Sequence, residues 1–337
     1  MKFWTQRIGG LMAGALLAVG ATAFAADTPF KGYWALTIPG GGAGWLGVEE
    51  KDGKLKGSLL WGGGSVLPVT SVEVADDALV VKRVSEQKKK DATGKEKKTK
   101  VTETITAKLS GDDMKLVTVK VGEDGKEFGR AEFTGKRVPP LPAKPDLAKV
   151  KFGAPIALMN GKDLTGWRLI NPNNANGWSV ADGVLMNRPV QEEGKPHKSY
   201  GNIRTEAEFE DFNLTTEVRT LKGSNSGIYL RGIYEIQVLD SYGKPLDPHN
   251  MGALYSRICP TVSAEKPVGE WQTMDITLVD RHLTVILNGQ KIIDNHPVLG
   301  CTGGALTSDV SKPGPIYLQG DHSSIDYRNM VLRPVIR

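Results

Sequence analysis

The sequence lacks the motifs that identify the common nucleophilic and cofactor-dependent enzymes. It contains no Gly-x-Ser-x-Gly elbow, no phosphate-binding loop, no dinucleotide fingerprint and no His-Glu-x-x-His zinc motif. Beyond its N-terminal segment it also lacks any uninterrupted apolar run of 18 residues, so we predict no membrane span in the mature chain. No stretch has the period of a helix longer than a turn or two, which indicates an all-β protein.

The N-terminus has the pattern of an export signal. Lys2 and Arg7 precede the apolar stretch Ile8–Val19, and Ala23-Phe24-Ala25 places small residues around the expected cleavage point. A basic start, a short apolar core and a small-x-small ending are typical of a signal peptide. We therefore predict that residues 1–25 are removed and that the protein is periplasmic or secreted. An uncut membrane anchor is the alternative, which the short apolar core disfavours.

Cysteine is scarce, with only Cys259 and Cys301, both in the C-terminal half. Two cysteines pair by default in the oxidising compartment that export implies. We therefore predict a Cys259–Cys301 disulfide that closes a long loop and stabilises the fold by about 3 kcal/mol. Neither cysteine lies in a recognisable activating motif, which makes a thiol nucleophile the less favoured interpretation.

The basic isoelectric point, near 9.0, comes from one segment. Lys82–Lys100 holds nine basic and three acidic residues, whereas the rest of the chain after the signal peptide is slightly acidic. The segment has no aromatic side chain on which a base could stack. We predict a long solvated hairpin tip and no nucleic-acid binding, with contact to an acidic surface as the alternative.

Turn signals divide the mature chain into short strands. Residues 26–138 alternate between apolar and polar positions, with turns such as Asp52-Gly53, and predict a small antiparallel barrel or sandwich. Residues 139–151 are rich in proline and predict a stiff linker. Residues 152–337 again consist of strand patterns, with Asn288-Gly289 as the strongest hairpin signal. This second domain is predicted to be a two-sheet sandwich or jelly roll.

One predicted strand, Tyr234–Leu239, carries polar groups on the face that does not join the core. Because side chains alternate along a strand, Glu235 and Gln237 point away from the apolar residues beside them. Arg231 ends the preceding strand, and Asp240 follows directly. This acid–amide–arginine face is a candidate site, with the ordinary hydrated face of a surface strand as the alternative.

A second candidate cluster, Gln319-Gly320-Asp321-His322, lies where a predicted strand ends. A histidine beside an aspartate can act as a general base or as a metal ligand. Simple turn chemistry explains the same dipeptide equally well. The residues by themselves therefore indicate an exported β-sandwich with a polar surface, and no reaction.

The C-terminal half resembles a known family in nine sequence blocks that follow one another in order. The blocks are Ala157–Trp167, Trp178–Leu185, Asn225–Arg231, Tyr234–Asp240, Gly252–Tyr255, Gly269–Trp271, Asn288-Gly289, Gly314–Gln319 and Tyr327–Asn329. This set resembles the 3-keto-disaccharide hydrolase domain, formerly a domain of unknown function. The resemblance covers residues 152–337, and it implies a concanavalin-like jelly roll of two antiparallel sheets. The paired cysteines are not expected of the family, and the N-terminal domain resembles no family that we can name.

The resemblance implies a bacterial enzyme that cleaves glycosides or disaccharides oxidised at C3. A ketone at C3 acidifies the C2 hydrogen, so a base can remove it, the C1 substituent can leave, and water can add back. Such a site needs a base, an acid and a stabiliser for the enolate oxygen. Glu235 and His322 are the candidate base and acid, and Arg231 or a bound divalent cation is the candidate stabiliser. The candidate substrate-binding residues are Asn225, Gln237, Asp240, Gln319 and Trp271.

Three other functions remain open from the sequence. A carbohydrate-binding module without catalysis would need exposed aromatic residues and would not depend on Glu235. An ordinary glycosidase would need a second carboxylate about 5 to 9 Å from Glu235. An envelope interaction protein would use its N-terminal domain to bind a partner. The aglycone, the linkage, a metal requirement and the oligomeric state are not determined by the sequence.

Overall fold

The computed structural model describes residues 28–39, 41–90 and 96–337. These residues form strands, turns and loops without a helix, which confirms the predicted all-β class. The predicted signal peptide, residues 1–25, lies outside the described residues, as does the tip of the lysine-rich hairpin at residues 91–95. No helix in the described part could cross a membrane.

The described residues form twenty-three strands. They are β1 Gly32–Thr37, β2 Ala43–Lys51, β3 Lys54–Trp61, β4 Leu67–Pro68, β5 Ser71–Ala75, β6 Ala78–Lys90, β7 Glu96–Ser110, β8 Asp113–Val121, β9 Glu127–Arg137, β10 Lys151–Phe152, β11 Ile156–Ala157, β12 Trp167–Leu169, β13 Trp178–Ala181, β14 Val184–Asn187, β15 Ile203–Thr205, β16 Phe212–Thr220, β17 Asn225–Leu230, β18 Tyr234–Leu239, β19 Trp271–Val279, β20 His282–Leu287, β21 Gln290–Pro297, β22 Tyr317–Leu318 and β23 Ile325–Ile336.

Strands β1–β9 form one antiparallel sheet in the order β4-β3-β2-β1-β9-β8-β7-β6-β5. The chain between β4 and β5 joins the two ends of this sheet, since the Val69 N–H donates to the Gly57 carbonyl and the Thr70 N–H to that of Lys82. The sheet therefore curls into a barrel, which we call the N-terminal barrel. Trp34, Leu79 and Ile105 are among the apolar side chains that fill its interior.

Two hairpin predictions are confirmed by backbone geometry. Asp52 and Gly53 have φ angles of 55° and 70°, and Asn288 and Gly289 have φ angles of 51° and 81°. Positive φ at both central residues is the requirement of a type I′ turn, whose twist matches that of the flanking strands. The lysine-rich hairpin also forms, with β6 and β7 paired as far as Lys90 and Glu96.

Strands β10–β23 form two further antiparallel sheets, which we call the C-terminal sandwich. The larger sheet has the order β13-β14-β23-β16-β19-β20-β21, with β10 and β11 paired to β23. The smaller sheet has the order β12-β15-β22-β17-β18. Apolar side chains of both sheets, such as Phe212 and Ile276 from one and Ile228 and Ile236 from the other, share one core. The predicted two-sheet architecture is therefore confirmed.

The N-terminal barrel and the C-terminal sandwich share part of that core through Trp45. Its indole Nε1 donates to the Leu299 carbonyl at 2.9 Å, and the Arg257 guanidinium lies 4.3 Å above its ring. The proline-rich segment is also fixed to the sandwich, because the Arg281 guanidinium donates to the carbonyls of Pro139 and Pro140. The two units are thus packed together and not merely linked.

The predicted disulfide between Cys259 and Cys301 is wrong, because both thiols are free. Cys301 is buried in the core between the barrel and the sandwich, whereas Cys259 is exposed. Burial raises the pKa of the Cys301 thiol to about 11. Cys301 therefore serves as an apolar side chain of the core and not as half of a cross-link.

Candidate active site

The polar face predicted for β18 consists of buried side chains, which form the floor of a cavity. In the pairing of β17 with β18, Tyr229 lies opposite Glu235 and Gly227 lies opposite Gln237, while Ile228 and Ile236 turn toward the sandwich core. Glu235 is 4% exposed and Gln237 is 3% exposed. A hydrated outer face would leave such side chains in water, so that alternative does not describe this strand.

Gly227 makes room for the Glu235 carboxyl group. A Cβ atom at position 227 would lie 2.3 Å from Oε1 of Glu235, far inside van der Waals contact. The glutamate therefore lies across the neighbouring strand, which only a glycine on β17 permits. The Glu235 backbone is fixed as well, since its N–H donates to Oγ1 of Thr302 at 2.9 Å.

Burial controls the protonation of Glu235. Desolvation raises the pKa of its carboxyl to about 8, and the nearby Asp321 charge acts in the same direction. The Tyr229 hydroxyl and His322 oppose this rise but do not cancel it. A carboxyl that titrates near neutrality can take up or release a proton during a reaction at physiological pH.

Two tyrosines stack beside this carboxyl. The rings of Tyr229 and Tyr317 are 4.0 Å apart and inclined by 8°. The Tyr229 hydroxyl donates to the Gly303 carbonyl at 2.7 Å, and the Asn202 amide donates to the Tyr317 hydroxyl at 3.1 Å. Since both tyrosines are almost fully buried, the pair does not offer the exposed aromatic platform that a sugar-binding module would need.

The turn after β22 holds an aspartate–histidine pair. Nδ1 of His322 is 2.6 Å from Oδ1 of Asp321, and this hydrogen bond is the main cause that raises the pKa of His322. The turn is fixed by Asn202, whose Oδ1 accepts from the N–H groups of Gly320 and Asp321 at 2.7 and 3.2 Å. The aspartate thus orients the imidazole and strengthens it as a base.

Three side-chain amides complete the floor. Nε2 of Gln237 lies 3.2 Å from Oδ1 of Asn225, and with the Gln237 amide turned over its nitrogen lies 3.3 Å from Oε1 of Glu235. Oε1 of Gln319 is buried and has no hydrogen-bond partner among the described residues. Such groups can bind the hydroxyl or carbonyl oxygens of a sugar.

The acid–base pair and the three amides line one cavity of about 430 Å³. Small-molecule sites typically have volumes of about 300–1,000 Å³. The structure therefore brings Glu235, His322, Asn225, Gln237 and Gln319, which the sequence singled out, to one place. The lining also includes Asp321 of the second candidate cluster. Its other residues were not singled out as site residues from the sequence: Gly63, Gly64, Asn202, Tyr229, Tyr255, Gly303, Gly304 and Tyr317.

Arg231 is not brought to this cavity, which corrects the prediction that it stabilises an enolate. Strand parity would keep it on the face of Tyr229, but the backbone leaves the strand at Arg231, where φ is 56°. Its guanidinium instead donates to the carbonyls of Val310, at 2.8 Å, and Lys312. Arg231 therefore fixes a loop on another side of the sandwich.

Asp240 and Trp271 also lie outside the cavity lining. Asp240 accepts a hydrogen bond from the Gly223 N–H at 2.9 Å, so it closes the turn that precedes β17. Trp271 belongs to the larger sheet, where Arg219 and Arg328 lie 4.8 and 4.0 Å from its ring centre. Neither residue is placed to touch a ligand beside Glu235.

Some of the additional lining residues had a usable signal in the sequence. Tyr229 alternates with Gly227 on β17, and Tyr317 alternates with Gln319, so strand parity places both on the polar face. Asn202 lies in an irregular segment, and Gly63 and Gly64 lie far away in the chain. These three are found only from the folded structure.

No group of three or more His, Cys, Asp or Glu side chains within the described ranges is arranged to hold a metal ion. The cavity lining contributes one histidine and two carboxylates, and one of those carboxylates is already bonded to the histidine. What the cavity offers from its own side chains is acid–base chemistry and amide hydrogen bonding.

Residues 154–333 match the family described as the 3-keto-alpha-glucoside-1,2-lyase-like domain. No curated protein matches the chain. Among solved structures, a candidate glycosyl hydrolase from Parabacteroides distasonis is 30% identical, over 63% of this chain and 96% of that one, with a TM-score of 0.44. A second from the same organism is 20% identical, over 54% and 94%, with a TM-score of 0.44. A carbohydrate-binding module from Bacillus subtilis is 14% identical, over 51% and 95%, with a TM-score of 0.29.

Proposed function

Because the chain belongs to the 3-keto-alpha-glucoside-1,2-lyase-like domain family, we propose that it cleaves glycosides whose sugar ring carries a ketone at C3. The observation that carries this proposal is the Glu235 carboxyl in the cavity, whose pKa burial raises to about 8. A base of that strength is better matched to a carbon-bound hydrogen beside a ketone than an ordinary carboxylate is. Near pH 8 half of it is in the ionised, reactive form.

Glu235 starts the reaction by removing the hydrogen from C2. The electron pair of the broken C–H bond moves into the C2–C3 bond, and the C3 ketone becomes an enolate. When the ketone re-forms, the electrons shift to the C1–C2 bond and the bond from C1 to the glycosidic oxygen breaks. His322, protonated and oriented by Asp321, gives its proton to the departing oxygen.

The negative charge on the enolate oxygen needs hydrogen-bond donors. Since Arg231 lies elsewhere, we assign this role to the side-chain N–H groups of Asn225 and Gln319, which line the cavity. Donors that are fixed before the reaction stabilise developing charge without reorganising. Gln237 holds Asn225 in place through the 3.2 Å contact between their amides.

The elimination product is an unsaturated 3-keto sugar with a C1–C2 double bond. If water adds across this bond, with the oxygen at C1 and a proton returned to C2 by Glu235, the net result is hydrolysis. If the product leaves first, the net result is a lyase reaction. The same residues perform the first half of both reactions.

An assay with matched substrates tests the proposal. The mature protein is incubated with a methyl glucoside and with its 3-keto form, each with and without a chelator. We expect release of methanol from the keto form only, and incorporation of deuterium at C2 when the reaction runs in heavy water.

The rival functions give different results in the same assay. Cleavage of the unoxidised glucoside would instead indicate an ordinary glycosidase with two carboxylates. Binding of either sugar without any release of methanol would indicate a binding module. Asp321 is the only other carboxylate in the lining, and its bond to His322 makes it a poor second carboxylate for that mechanism.

A further inference from the structure

The N-terminal barrel contributes directly to the cavity that holds Glu235. The loop between β3 and β4 contains Gly62-Gly63-Gly64-Ser65, which we call the glycine loop. Two of its residues, Gly63 and Gly64, line the cavity together with Gly303 and Gly304 of the sandwich. One wall of the site is thus made by a domain outside the matched family region, which begins at residue 154.

The glycine loop is held on the sandwich at both of its ends. The Gly304 N–H donates to the Gly62 carbonyl at 3.3 Å. Ser65 Oγ is 2.8 Å from Nε2 of His249, and the other ring nitrogen of His249 is 2.6 Å from Asp247. The loop therefore has one defined position relative to the floor of the cavity.

Its centre packs directly on the sandwich without side chains between. A Cβ atom at Gly303 would lie 2.1 Å from the Gly64 carbonyl oxygen, so the two backbones are in contact. The Gly303 carbonyl accepts the hydrogen bond of Tyr229, the tyrosine beside Glu235. Gly303 thus connects the two parts of the cavity, because it contacts Gly64 in the wall and accepts a hydrogen bond from Tyr229 in the floor.

Gly63 borders open space. A Cβ atom there would meet nothing within 4 Å, and its φ is not in the left-handed region. Among the described residues, no hydrogen bond uses the N–H of Gly63 or Gly64. The wall therefore offers bare peptide groups, which hydrogen-bond hydroxyls well and give no apolar surface to an aromatic group.

We propose that the glycine loop of the N-terminal barrel is part of the substrate site and limits the size of the group attached to the reacting sugar. The group it accepts is a small hydroxylated one, such as a second sugar ring, and not an extended chain. The inference deepens the proposed function and rests on it for the identity of the reacting sugar. The N-terminal barrel is then a determinant of specificity.

The test fills the space beside Gly63 in the full-length protein. Gly63→Trp and the smaller Gly63→Leu are compared with Gly129→Trp, which adds the same bulk to the same barrel at a position outside the cavity lining. Calorimetry gives Kd for methyl glucoside and for maltose, which the protein is not expected to cleave. KM and kcat are measured in parallel for the 3-keto forms of both sugars.

We expect Gly63→Trp to raise the Kd of the disaccharides about tenfold or more, with a smaller rise for the methyl glucosides. Gly63→Leu should give Kd values between those of wild type and Gly63→Trp. Gly129→Trp should change the Kd of neither the methyl glucosides nor the disaccharides. The inference is overturned if Gly63→Trp raises the Kd of the methyl glucosides and of the disaccharides by the same factor, or changes neither. It is also overturned if the wild-type protein binds no sugar. Size-selective binding without turnover of any keto glycoside would support the wall and reject the proposed reaction.

Discussion

Glu235 links the stability of the fold to its chemistry. Folding removes this carboxyl from water and raises its pKa to about 8, so the folded protein holds a proton that the unfolded chain releases near pH 4.5. A group whose pKa is raised on folding in this way destabilises the folded state as pH rises between the two values. The residue proposed as the base therefore lowers the free energy of unfolding at neutral and alkaline pH.

Replacement of Glu235 by glutamine tests both aspects. We expect Glu235→Gln to lower turnover of a 3-keto glucoside by about 10²–10⁴-fold, because the amide cannot accept the C2 proton. The variant should also gain stability relative to wild type as pH rises from about 4.5 to 8, by at most about 5 kcal/mol. Urea unfolding of both proteins at pH 5 and pH 8.5 measures this difference.

The exposed Glu270 provides the matched control, since Glu270→Gln makes the same chemical change in a solvated turn. It should leave both the turnover and the pH dependence of stability as in wild type. Near-normal turnover of Glu235→Gln would remove Glu235 from the role of base.

The Asp321–His322 pair gives a second prediction at the scale of the residue. Asp321→Asn should lower the pKa of His322, because the carboxylate hydrogen bond is the main cause that raises it. If His322 is the acid, turnover at pH 8 should fall, because a smaller fraction of the imidazole is protonated there. An NMR titration of the imidazole measures the pKa directly.

A similar pair elsewhere in the sandwich controls for this change. Asp247 lies 2.6 Å from His249, so Asp247→Asn removes an equivalent contact from an imidazole that is not in the cavity lining. That variant should leave the titration of His322 where it is in wild type. An unchanged pKa of His322 in Asp321→Asn would show that the hydrogen bond does not control its protonation.

At the scale of the element, the β17–β18 hairpin decides which side chains reach the site. Parity along the strands carries Tyr229, Glu235 and Gln237 to one face, and Gly227 leaves the space that the glutamate occupies. At the end of β17 the positive φ of Arg231 breaks the parity and sends its side chain elsewhere. A few backbone angles thus separate the residues of the cavity from their sequence neighbours.

Gly227→Ala should displace Glu235, since the three atoms nearest to the added methyl group all belong to the glutamate side chain. The added Cβ would lie 2.3 Å from Oε1, so the carboxyl has to move by an ångström or more. A displacement of that size costs about 10²-fold in rate when the group is the base. We expect this loss in kcat, whereas Gly129→Ala, which adds a methyl group in ordinary contact on β9, should keep wild-type kinetics. Equal kcat values for the two variants would contradict the proposed position of the base.

At the scale of the whole molecule, the N-terminal barrel and the C-terminal sandwich behave as one packed body around Trp45. This side chain is 5% exposed, and it contacts Leu299 and Arg257 of the sandwich. Leu299 begins the segment that continues to Thr302, which holds the Glu235 backbone, and to Gly303, which holds Tyr229. The contact between the two units is therefore also a support of the site.

Removal of this contact should uncouple the two units. Trp45→Ala is expected to lower the free energy of unfolding by about 3–5 kcal/mol and to split one thermal transition into two. Trp61→Ala is the control, because Trp61 packs on Phe133 inside the barrel, 4.7 Å between ring centres. It should lower the midpoint of the single transition without splitting it. A single, unshifted transition in Trp45→Ala would mean that the two units are not coupled through this residue.

Much of the fold is encoded locally and was accessible from the sequence. The Asn288-Gly289 turn, the lysine-rich hairpin and the orientation of Glu235 and Gln237 depend only on neighbouring residues, through turn geometry and the two-residue period of a strand. The family resemblance added the substrate class that we propose. Export stays a prediction, since residues 1–25 lie outside the described part of the chain.

The remainder was decided by contacts between residues far apart in the chain. The pairing of β17 with β22 brings Tyr317 against Tyr229, and Cys301 is buried in the core. The packing of the two units places Gly63 and Gly64 in the same cavity lining as Glu235. The pKa of Glu235 depends on this enclosure, because desolvation is a property of all the surrounding atoms. The sequence by itself determined which side chains share a strand face, and only the tertiary structure decided which of them are enclosed together.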